Sequence, residues 1–136
     1  MVSRELGRLD ESEAAFRRVN AINPAFVFGH YNLGHTLFLA GRYSDALDAY
    51  EEGRRRDPQQ NRRQGCRLAV VRFATGDTAG AERDLWRCVD AAPADEREDL
   101  LLEAYEIAHA LLTQHPALAA QRPFVERIGA ELAKSE

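Results

Sequence analysis

The apolar positions of residues 26–41, FVFGHYNLGHTLFLAG, recur with a helical period. His30, Leu33, Gly34 and Leu37 fall on one side of such a helix. Phe28, Asn32, His35 and Leu39 form a stripe on the other, with Tyr31 and Phe38 along its border. A helix that is apolar nearly all round is normally buried all round. The second face is therefore expected either to receive a ligand or to be covered by the chain itself or by another copy. The following helix, by contrast, presents Asp45, Asp48 and Glu52 along one side, an expected solvated outer face, and closes on Arg54, Arg55 and Arg56, whose charge suits a helix C-terminus. Further on, Leu100, Leu101, Ala104, Ile107, Ala108, Leu111 and Leu112 keep helical spacing within residues 95–115. That helix opens on Asp95 and Glu98, a relative of the capping box. Pro116 breaks it, and Pro123 can open a last short helix with Phe124, Ile128 and Leu132 along one stripe.

The pattern also repeats. Residues 6–24, LGRLDESEAAFRRVNAINP, align with AGRYSDALDAYEEGRRRDP at 40–58 without a gap at a shift of 34. Gly7, Gly41 and Gly76 line up, as do Ser12, Ala46 and Ala81; Phe16, Tyr50 and Leu85; and Pro24, Pro58 and Pro93. The second interval is 35, and the extra residue falls most economically in the polar joint PQQNRRQG. Each Gly is expected to end a helix at positive φ. The small residues mark the close approach of two helices, the bulky ones fill the same face one turn later, and each Pro follows a helix end and can enter the first turn of the next. One unit is thus a helix, a tight turn, a helix and a joint.

These residues resemble the tetratricopeptide repeat family. Residues 27–60 supply His30, Leu33-Gly34, Leu37, Ala46, Tyr50, Gly53 and Pro58 at the family's positions, with His30 where Trp is usual and Gly53 where Ala is usual. Residues 62–95 match more loosely through Leu68-Ala69, Ala81, Leu85, Cys88 and Pro93, with Arg72 in an apolar position. The resemblance implies an all-α array of antiparallel helix-turn-helix repeats over a single 1–136 domain. Residues 1–26 would be a truncated first repeat, 27–60 the second, 61–95 the third, and 96–136 C-terminal helices that cap the array or, alternatively, latch into its groove.

In such an array the first helix of each unit lines the inner, concave face, so the resemblance implies a protein or peptide partner bound there. Phe28, Tyr31, Phe38 and Phe73 would supply apolar contact, with His35, Leu39 and Val70 beside them, and Asn32 would bind peptide backbone. Arg63 and Arg67, four apart and hence on one helix face, would hold an acidic group, because a guanidinium donates two parallel hydrogen bonds to a carboxylate. They resemble part of the carboxylate clamp of some tetratricopeptide domains, whose remaining basic residue and second Asn belong on a preceding helix. The competing reading is structural: apolar surface around Phe16 and Val19 would seat a second copy, or the chain would be an excerpt of a longer array.

Composition narrows this little. Net charge is −4, and the basic residues are not interleaved with aromatics, which argues against nucleic acid even with six Arg between positions 54 and 67. Seventeen Arg against one Lys reads as the coding bias of a GC-rich, bacterial genome. No apolar run approaches the ~18 residues of a membrane span and no charged-then-apolar leader opens the chain, so a cytoplasmic protein is expected. Cys66 and Cys88, 22 apart, form neither a disulfide framework nor a zinc pattern and read as small buried thiols. His30 and His35 stand about 140° apart around a helix and cannot easily share a metal. With no phosphate-cradling Gly loop, H-E-x-x-H or C-x-x-C, the expectation is a protein that is not an enzyme and carries no cofactor or metal.

Overall fold

The structure is a computed structural model that describes residues 4–134. Among them it is all helical: α1 (Arg4–Ile22), α2 (Val27–Leu39), α3 (Tyr43–Arg56), α4 (Arg62–Ala74), α5 (Thr78–Asp90), α6 (Ala94–Gln114), a 3-10 segment (Pro116–Gln121) and α7 (Arg122–Ala133). The 1–136 span read as one repeat domain divides into two compact units, Met1–Gln64 and Gly65–Glu136. No described helix is long and apolar enough to cross a membrane.

The repeated glycines do what their spacing predicts in two of three places. Gly41 and Gly76 sit at φ +81° and +95°. Around Gly41, Arg42 N–H donates to the Leu37 carbonyl and Gly41 N–H to that of Phe38. Around Gly76, Asp77 N–H donates to Arg72 and Gly76 N–H to Phe73. Both turns are therefore the same Schellman motif, which satisfies carbonyls that a helix end leaves open. Gly7 departs from the prediction: it lies inside α1, where helical hydrogen bonding continues through it. The prolines depart in a smaller way. Pro24 and Pro58 follow helix ends without entering the next helix, and Pro93 is the residue just before α6.

In the first unit, α2 and α3 approach closely because Gly34 has no side chain. A Cβ there would lie 2.6 Å from Cδ2 of Tyr50 and 3.2 Å from the Ala46 carbonyl oxygen. Tyr50 is itself 2% exposed and cannot swing away. Gly34→Ala is accordingly expected to destabilise the protein by about 2 kcal/mol through overpacking, despite the better helix propensity of alanine. Urea denaturation checks this, and an unchanged midpoint would show that the two helices have room to spare.

The second unit repeats the hairpin with different chemistry. Arg72, at the position of Leu37 one repeat on, donates from Nε to Asp84 Oδ2 at 2.5 Å, so a half-buried ion pair stands where the first hairpin has apolar contact. Cys66 and Cys88 are joined by a disulfide, Cα to Cα 5.8 Å, which corrects their reading as two thiols. A spacing of 22 carries no disulfide signature; the pairing appears only once α4 and α5 lie side by side. Asp77 caps α5 by accepting from Gly80 N–H. The expected Asp95–Glu98 cap is not made: α6 starts instead from Pro93, whose carbonyl accepts from Glu96 and Arg97 N–H. Phe124 and Ile128 of α7 are buried as their stripe predicts.

Candidate functional site

The joint between α3 and α4 positions the first unit's polar centre. Asp57 ends α3, and its carboxylate accepts three donors: Gln59 N–H at 2.9 Å, Asn61 N–H at 3.0 Å and the Tyr31 hydroxyl at 2.9 Å. Gln60 takes up left-handed φ of 51° and donates from Nε2 to the Arg54 and Asp57 carbonyls. Asn61 Oδ1 then accepts from Gln64 N–H, satisfying an open donor of α4. Burial alone would raise the Asp57 pKa, but the Asn61 and Gln59 N–H groups and the Tyr31 hydroxyl together hold it below its ordinary value. The same arrangement, burial first and the neighbouring carboxylate second, pushes the Tyr31 hydroxyl well above its own.

Tyr31 is thus a core residue, 1% exposed, and not the ligand contact expected from sequence. The physical reason is Gly53. A Cβ there would sit 2.7 Å from the Tyr31 ring, so the missing side chain opens the slot the ring occupies, with Tyr50 at 6.1 Å between ring centres. Val70 and Phe73 require the same correction. Both are buried, Phe73 stacking on Phe124 of α7 at 5.1 Å and Val70 facing Leu100, Ala104 and Ile107 of α6. Phe38 is half-buried against the Tyr43 ring.

The rest of the α2 stripe does face outward. Phe28, Asn32, His35 and Leu39 are all exposed, Phe28 by 43% and Leu39 by 56%. Phe26 extends the apolar surface, its ring 6.1 Å from that of Phe28. On α4, Arg63 is exposed, whereas Arg67 donates from Nε to Glu103 of α6 at 2.8 Å. A carboxylate ligand on Arg67 would have to displace an internal one.

One surface was not legible in the sequence. The α3 face bearing Asp45, Asp48 and Glu52 borders a groove of about 550 Å³, with Arg17, Asn20 and Ala21 of α1 opposite and His30, Leu33 and Leu37 of α2 between them. His30 donates from Nε2 to the Pro24 carbonyl at 3.0 Å. Most of the charge at the rim is already paired: Asp45 with Arg42, Glu52 with Arg55 and Arg56, and Arg17 with Glu13. Only the packing of α1 on α2 creates this groove, so no spacing within one helix could reveal it.

Comparison with known proteins agrees with the hairpin geometry. Residues 27–60, which are α2, α3 and their joint to α4, match the tetratricopeptide repeat. The small glutamine-rich tetratricopeptide repeat-containing protein 2 of Mycosarcoma maydis is 35% identical over 54 residues. That match covers 40% of this chain and spans only 15% of the relative's length. Repeats of this family generally mediate protein–protein interaction. Residues 27–60 are therefore similar to a tetratricopeptide repeat, within a chain whose described residues form helices and no strand.

Proposed function

We propose that the chain is a non-catalytic binding module that takes a protein segment along the outward side of α2. The observation that supports this is the stripe Phe28, Asn32, His35 and Leu39, exposed along one side of a helix whose other side is core. Two large apolar side chains held in water gain on the order of 1.5–3 kcal/mol each when a partner covers them. Asn32 between them offers an amide that can both donate to and accept from an extended backbone. An acidic group on the ligand is a finer part of the proposal: it would compete with Glu103 for Arg67, so its contribution is the smaller one.

Panning a displayed peptide library on the folded protein supplies a ligand whose affinity can be measured by fluorescence anisotropy. Phe28→Ala and Leu39→Ala are each expected to weaken it about tenfold with helicity unchanged. An acidic recovered peptide should lose further affinity on Arg67→Glu. Peptides indifferent to both α2 substitutions but displaced by Ala21→Arg would move the site to the α1–α3 groove. A structural role has one observation in its favour. Phe16 and Val19 are half-buried and Ile22 is 78% exposed on α1, a surface that a second copy could cover. Light scattering distinguishes the two, since a dimer that tolerates the α2 substitutions supports the structural role.

A further inference from the structure

Superposing the two hairpins by sequence at a shift of 35 places Cys66 on Tyr31 and Cys88 on Gly53. In the first hairpin that site is a ring filling the space over a glycine. In the second it is a covalent bond between two side chains that are 4% and 5% exposed. The position of the ring is taken by Cys66 itself, and the acceptor that holds Tyr31, Asp57, is replaced one repeat on by Ala92. The disulfide therefore replaces both the packing and the hydrogen bond that close the first hairpin.

We infer that Cys66–Cys88 is a redox-controlled staple that sets how firmly α4 and α5, and the helices docked on α4, are held together. Reduction by a dithiol breaks the S–S bond through a mixed disulfide. The reductant leaves as its own cyclic disulfide, and Cys66 and Cys88 each gain a proton. The two sulfurs, no longer bonded, must then separate to non-bonded contact inside a close-packed interior. The strain falls where α4 carries its load. Arg67, next to Cys66, holds Glu103 of α6, and Phe73, two turns on, stacks on Phe124 of α7. The cross-link also removes freedom from the unfolded chain over the 22-residue span that it closes. In an oxidising compartment the second unit is locked; in a reducing one it is softened, while the first unit, which contains no cysteine, keeps its stability.

The chain's single tryptophan reads this unit directly. Trp86 lies on α5 two residues before Cys88, with the Arg127 guanidinium of α7 5.2 Å from its ring centre. Air-oxidised protein denatured in guanidinium should show no thiol toward a disulfide reagent, and two after dithiothreitol. The thermal midpoint followed at Trp86 should fall by about 10 °C on reduction and return on reoxidation. A Cys66→Phe/Cys88→Gly variant rebuilds the ring-on-glycine packing without needing an acceptor at Ala92, and its midpoint should ignore dithiothreitol. Free thiols in the aerated protein, or a wild-type midpoint unmoved by reduction, overturns the inference. Those wild-type measurements decide it even if the variant does not fold.

Discussion

Phe73→Ala is expected to destabilise the second unit by about 4 kcal/mol, in the range for deleting a fully buried aromatic side chain. Phe73 is 0% exposed and its ring stacks on Phe124, so alanine leaves a void lined by side chains of α4 and α7. Guanidinium denaturation followed at Trp86 measures it. Phe124→Ala should cost a similar amount. The double variant should fall short of the sum by about 1 kcal/mol, the share of an aromatic pair beyond simple area burial. The outcome also separates two roles for the residue. A ligand contact would lose affinity and leave the denaturation curve in place, whereas a core ring moves the curve. A loss under about 1 kcal/mol would contradict the buried stack.

Asp57→Ala is expected to cost about 3 kcal/mol, because it strands the buried Tyr31 hydroxyl and the Gln59 and Asn61 N–H groups together. Adding Tyr31→Phe in that background should recover part of the loss, since it removes a hydroxyl left without its acceptor. The same carboxylate gives a pH signature. Its folded pKa lies below the ordinary 3.8, so its contribution is complete above about pH 4 and is lost as pH falls through the depressed folded value. Wild-type stability should therefore drop over that acid range more steeply than that of Asp57→Ala. Parallel curves would mean that Asp57 carries no depressed pKa. At the alkaline end, Tyr31 should fail to ionise near pH 10 in the folded protein, its hydroxyl being held by burial and by Asp57.

How much of this could be read from the chain depends on how local each cause is. A Schellman turn is decided within six residues, so Gly41 and Gly76 announce it. Gly7 shares the spacing but not the turn, because a repeated residue type does not by itself end a helix. The outward stripe of α2 was legible because periodicity assigns faces, and Phe28, Asn32, His35 and Leu39 lie at its centre. Its border was not. Tyr31 sits where a small rotation decides between water and core, and the decision was made by Gly53, 22 residues away, which leaves room for the ring.

The amino-acid sequence by itself determined the helices and the hairpin repeat, because each follows from spacing that one or two turns of backbone enforce. Tertiary structure decided which side chains remain available. Packing of α6 and α7 against α4 buried Val70 and Phe73 and gave Arg67 a partner in Glu103. Side-by-side placement of α4 and α5 joined Cys66 to Cys88, and the packing of α1 on α2 opened a groove beside Asp45, Asp48 and Glu52. Burial and pairing are properties of two surfaces meeting, and a one-dimensional pattern specifies only one of them at a time.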